Sequence, residues 1–170
     1  MLAKRERLGH VFARHAYGMR AWVDLFSARV PAVADPEAKA LVAQLVADNA
    51  RHMLLFRQRA LAHAVDPDAY HCPPEGELIY ERIDELSGLD ELAGYALGSL
   101  DHFTELLAVY RDVADGEDRA AIEEVTADVR RMRTALAPLT AGGGARRAAE
   151  AHELYRVREL VETPRYAHAG

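Results

Sequence analysis

Cysteine and tryptophan each occur once, at Cys72 and Trp22, and aromatic residues make up only 7% of the 170. A single thiol excludes a disulfide framework and any Cys-rich zinc module. No run of about 18 apolar residues occurs, which argues against a membrane-spanning helix. The opening stretch Met1-Leu-Ala-Lys-Arg-Glu-Arg lacks the apolar core of a signal peptide. Basic residues are in deficit, 21 Lys and Arg against 27 Asp and Glu, for a formal charge of −6. A phosphate-binding face needs the opposite balance, so a nucleic-acid partner is not expected. A soluble, cytoplasmic domain is the expectation. A chain of this length buries roughly 70% of its unfolded surface, enough for a core without cross-links.

What is present is helix-forming sequence. Ala, Leu, Arg and Glu dominate, and no strand-like alternation competes with them. Leu8, Val11, Phe12, His15, Met19, Trp22, Val23 and Phe26 recur at three- and four-residue steps, predicting a long amphipathic helix from about Ala3 to Val30. Asp35 then offers an N-cap and Pro36 suits a first helical turn. A second helix is read to about Val65, along Val42, Leu45, Val46, Asn49, His52, Met53 and Phe56. Pro67, Pro73, Pro74 and Gly76 mark a loop, with a short helix expected over 77–86. A third long helix is expected over 89–114 and a fourth over 117–137, separated by Asp115-Gly116. After Pro138 and the glycines at 142–144, a fifth runs over about 146–161, carrying Leu154, Val157, Leu160 and Val161, and residues 162–170 read as a flexible tail.

These lengths set an architecture. Helices of about 23–29 residues extend roughly 35–43 Å, and the short links within each pair make antiparallel hairpins. The first hairpin spans about 3–65 and the second about 89–137, while the stretch 66–88 is long enough to run the length of a bundle. The reading is one all-α domain over 1–161. The fifth helix either caps the bundle or mediates self-association.

A shift of 80 residues superimposes the two hairpins. It matches Asp35 with Asp115, Glu37 with Glu117, Asp48 with Asp128 and Arg51 with Arg131, and also Gly18 with Gly98. Alanine matches are cheap in so Ala-rich a chain, so the charged matches carry the argument for an internal duplication.

A duplicated hairpin around a long crossover resembles the ferritin-like superfamily, in particular its rubrerythrin-type branch. Over about residues 5–137 the resemblance implies a four-helix bundle holding a di-iron centre, with a Glu from each of two helices and a Glu-x-x-His from each of the others. Here the corresponding pairs read Asp48-x-x-Arg51 and Asp128-x-x-Arg131. Guanidinium has no lone pair to offer a metal, so these pairs are not half-sites. The alternative frame, Asn49-x-x-His52, keeps the imidazole and loses the carboxylate. The first helix carries Glu6 near its start and His15 on its stripe, and the third carries Glu105. The leading expectation is therefore a degenerate di-metal site without cofactor. It pictures Asp48, Arg51, Asp128 and Arg131 as a bundle-centre polar cluster, in a protein acting by binding or by homo-oligomerisation. The alternative is an iron- or manganese-dependent oxidoreductase or oxygenase with a mixed site of Asp48, His52, His102 and Asp128, with Glu124 as a further candidate. Storage in a cage is weaker, because ferroxidase chemistry needs the missing carboxylates. His71-Cys72 in the crossover lacks a third orienting group for nucleophilic chemistry. Trp22, Met19, Phe56, Met53 and Met132 read as core rather than as a cofactor pocket.

Overall fold

The structure, a computed structural model, describes residues 4–86, 88–140 and 143–168, with side chains through Arg158 apart from Glu75. Six α-helices occur among these residues: α1 (Leu8–Arg29), α2 (Pro36–Ala62), α3 (Pro74–Asp84), α4 (Leu89–Val113), α5 (Gly116–Leu136) and α6 (Gly144–His168). The all-α class holds among the described residues, and no helix there is long and apolar enough to cross a membrane. Three sequence readings fall elsewhere: Ala3 as the first helical residue, the side chains of Leu160 and Val161, and Gly142 together with the chain end at 169–170 all lie outside the described residues.

The contacts gather into two compact units, one of Lys4–His71 with Ala114–Ala121 and the other of Cys72–Val113 with the chain from Ile122 onward. In the first, α1 presents Leu8, Phe12, Ala16, Met19, Trp22 and Phe26 to the core, the stripe expected from their spacing. Asp35 caps α2 by accepting from the Ala38 N–H at 2.8 Å, and Pro36 supplies the preset first turn. Val42, Leu45, His52 and Phe56 face α1 from the buried side of α2. Phe12, early in α1, meets Phe56, late in α2, edge-on with centroids 5.0 Å apart, so the two helices are antiparallel.

The end of α2 is closed by a Schellman-type turn. Ala64 takes the left-handed conformation (φ 56°) and Val65 N–H donates to Ala60 O at 3.0 Å. This turn stops α2 at Ala62, three residues short of the Val65 expected from the apolar pattern. Beyond it, Arg57 grips Asp68 with two bonds of 2.6 and 2.7 Å, and Tyr70 packs on Tyr17 at 5.3 Å. Asp118 fills both carboxylate oxygens within this unit, taking Arg59 Nε at 2.8 Å and His63 Nε2 at 2.7 Å.

In the second unit α3 starts at Pro74, earlier than residue 77, because a proline at the first helical turn loses no hydrogen bond there. Ile79 and Ile83 bury its inner face, and Leu86 just beyond its end is buried as well. Ala114 and Asp115 separate α4 from α5, whose first residue Gly116 has φ +48°, and farther along α5 Arg133 reaches Asp101 of α4 at 2.6 Å. The principal partner of α4 along its length is α6. A Cβ built on Gly94 would stand 2.0 Å from Gly144 O, and one on Gly98 would stand 2.0 Å from Ala148 O. Glycine at these two positions is what lets the backbones approach so closely. Residues 94, 98 and 102 thus face 144, 148 and 152, so α4 and α6 run parallel in a constant register. Arg147 seals the near end by donating to Glu91 Oε1 at 3.1 Å. The last helix therefore packs on α4, and its backbone continues through 162–168, where a tail was expected. Apolar periodicity ends at Val161, but helical backbone needs no apolar stripe to persist.

Candidate metal centre

The residues singled out from sequence divide between the units. Asp48, Arg51 and His52 lie on α2 in the first, and His102, Asp128 and Arg131 lie on α4 and α5 in the second. Each Asp pairs with the Arg one turn on. Arg51 Nη2 stands 3.3 Å from Asp48 Oδ1, which also accepts from Gln44 Nε2 at 3.2 Å, and Arg131 Nη1 bonds Asp128 Oδ1. Both carboxylates are buried while the guanidinium side chains stay 45% and 55% exposed. Such pairs combine a buried acceptor with a solvated cation. The ligand set that a di-iron centre requires does not fit them, since the i+3 partner has no lone pair.

His52 is buried on the inner face of α2, one turn before Phe56. His15, on α1, lies edge-on to Phe56 with centroids 6.5 Å apart. His15 thus joins the aromatic seam of the first unit, and His52 is buried on the same face of α2 as Phe56.

Among the described residues, one set of three His, Cys, Asp or Glu side chains brings its ligand atoms within 4.8 Å of one another: His102, Glu105 and His152. It retains His102 from the expected mixed site and does not include Asp48, His52 or Asp128. His102 and Glu105 share a face of α4 by their i, i+3 spacing. His152 comes from α6, carried there by the parallel glycine seam, one turn beyond the Gly98–Ala148 contact.

The geometry is compact. Glu105 Oε1 lies 3.1 Å from His152 Nε2, and Glu105 Oε2 lies 3.6 Å from His102 Nδ1. The imidazoles meet at right angles, 83° between planes and 5.7 Å between centroids. Tyr155, one turn along α6 from His152, stacks on His102 with ring centroids 6.5 Å apart. Two ligands each about 2.1 Å from a tetrahedral ion are about 3.4 Å apart. The 3.1 and 3.6 Å separations are made by different oxygens of Glu105, and one ligand atom from each of the three residues lies within 4.8 Å of the others. His102 is buried, whereas the Glu105 side chain is 61% exposed and that of His152 is 34% exposed. The site is thus anchored in the packed seam and open on one side.

Two imidazoles and one carboxylate are the donors of catalytic zinc sites and of mononuclear iron sites with open positions. Of these three, the sequence makes only His102 a candidate ligand; Glu105 stands out there merely as a Glu of the third long helix, and His152 lies on a fifth helix outside the four-helix pattern. The missed signal is the small-residue spacing Gly94-x-x-x-Gly98 opposite Gly144-x-x-x-Ala148. Extended by one turn, it pairs residue 102 with residue 152. No protein family, curated protein or solved structure matches the chain.

Proposed function

We propose that this protein binds one divalent transition metal ion through His102, Glu105 and His152, using it as a Lewis-acid or redox centre. The observation that carries the reading is the convergence of these three donors at ligand spacing across α4 and α6. Three protein ligands leave positions for water or substrate, the arrangement of catalytic rather than structural sites. Iron, manganese and zinc all suit this donor set. The test is equilibrium dialysis of purified protein against Zn(II), Co(II), Mn(II) and anaerobic Fe(II). One ion per chain is expected, lost in His152→Ala and in His102→Ala. A ligand that binds only the folded chain at a hundred times its Kd stabilises it by about 2.7 kcal/mol, so saturating metal raises the wild-type Tm and leaves that of His152→Ala unchanged. Absence of stoichiometric binding for all four ions overturns the reading.

A second reading rests on different residues. In it the chain is a ferritin-like bundle with a degenerate di-iron site, acting by self-assembly. The matched pairs Asp48–Arg51 and Asp128–Arg131 support the first part. Exposed Leu54 and Leu61, seven residues apart on one face of α2, support the second. Light scattering after size exclusion distinguishes it: an oligomer dissociated by Leu54→Lys supports assembly, and a monomer at all concentrations removes it.

A further inference from the structure

The open side of the His102, Glu105 and His152 set faces a groove of about 580 Å³ that Thr104, Glu105, Arg133 and His152 help to line. That volume falls within the usual range for small-molecule sites. Arg133 spends Nε and Nη2 on a single oxygen of Asp101, both at 2.6 Å, and its Nη1 has no partner among the described residues. The Thr104 hydroxyl donates to Leu100 O at 2.8 Å and so has only lone pairs left to offer. Arg133 is accordingly the cation of this groove with donor capacity to spare.

Charge then decides which ligand fits. Asp101 cancels Arg133, and Glu153, also on the groove, is cancelled by Arg156 at 2.6 Å. Glu105 remains, leaving the groove at about −1 with neutral imidazoles. A divalent ion on the three donors inverts this to about +1. Even on an open, solvent-screened groove, that change of sign converts repulsion of an anion into attraction.

We propose that the metal-loaded groove is a binding site for a small oxyanion, a carboxylate or phosphate. One oxygen completes the metal coordination and another takes the free edge of Arg133, and the groove without metal binds no anion. The inference rests on the metal reading above. It adds the ligand class and makes Arg133 the second anchor, a planar fork suited to such groups.

Cobalt(II) titration tests both readings separately, because the visible spectrum reports coordination directly. Oxalate and inorganic phosphate, added in separate arms to Co(II)-loaded protein, identify whether a dicarboxylate or a phosphate is preferred. A saturable spectral change with either anion, absent from metal-free protein by calorimetry, is expected. Arg133→Gln is expected to weaken that anion at least tenfold with Co(II) affinity unchanged, and Arg133→Lys, which keeps the charge and the Asp101 partner, to weaken it less. Circular dichroism confirms that both variants fold. If Co(II) binds but neither anion alters its spectrum, or if metal-free protein binds the anion equally well, the oxyanion site is overturned and the metal site stands. Failure of both Arg133 variants to change anion affinity overturns the role of Arg133. If Co(II) itself does not bind, the metal reading falls, and the oxyanion site with it.

Discussion

The α1–α2 pair meets through rings, and the α4–α6 pair meets through bare backbone. In the first, Phe12, Phe56, Trp22 and Phe26 fill the space between antiparallel helices, with Trp22 stacked on Phe26 at 4.9 Å. In the second, Gly94 and Gly98 bring parallel helices so close that no Cβ fits. The contrast extends to the titratable groups. Asp118 of the first unit spends both oxygens on Arg59 and His63, and a carboxylate so occupied is structural. Glu105 of the second is largely exposed and lies between two imidazoles of different helices. A seam of large side chains holds its helices apart by a ring's width. A glycine seam lets short side chains such as imidazole reach across.

Three substitutions break or sharpen this contrast, in decreasing order of effect. Phe56→Ala empties a fully buried ring site, and urea denaturation is expected to give a loss of about 3–5 kcal/mol. Gly98→Leu forces a Cβ against the Ala148 carbonyl, which only a backbone shift relieves, for a loss of about 3 kcal/mol. Hydrogen exchange locates that damage: α6 amides are expected to lose protection in Gly98→Leu while α1 and α2 keep theirs. Equal loss in both regions would show that the seam is not a local device.

The smallest effect concerns Tyr95, fully buried on α4 with a hydroxyl that has no hydrogen-bond partner among the described residues. Removing an unsatisfied buried hydroxyl leaves little to lose, so Tyr95→Phe is expected to change stability at neutral pH by less than about 1 kcal/mol. Burial pushes this phenol above its ordinary value, because the phenolate is poorly solvated there. The folded state therefore keeps a proton that the unfolded state releases near pH 10. Stability from this group is complete below about pH 10 and falls as pH rises beyond it. Tyr80, also pushed up by burial, acts in the same sense. The urea midpoint of Tyr95→Phe is thus expected to decline less steeply between pH 9 and about 11 than that of the wild type. An unchanged slope would remove Tyr95 from the alkaline transition.

Much of the helical layout is legible in the sequence, because it depends on near neighbours. The three- and four-residue steps from Leu8 to Phe26, the cap at Asp35 and the break at Asp115-Gly116 act within one or two turns. The candidate site is only partly legible for the same reason. His102 and Glu105 are neighbours on one helix, but His152 is distant in sequence and joins them through a tertiary contact between Gly98 and Ala148. Apolar periodicity does not register a seam made of glycine, since glycine contributes no apolar side chain. The Asp-x-x-Arg pairs recur 80 residues apart, but recurrence along the chain carries no information about ligand geometry.

The constant register of α4 on α6 has a mechanical meaning. Sliding α6 by one turn, about 6 Å, toward the start of α4 sets His152 against Gly98, where there is no room for a ring. Small residue faces small residue, and imidazole faces imidazole, at a single setting. The pair behaves as a notched key with one seated position, so whatever loosens α6 releases it as a whole rather than letting it creep.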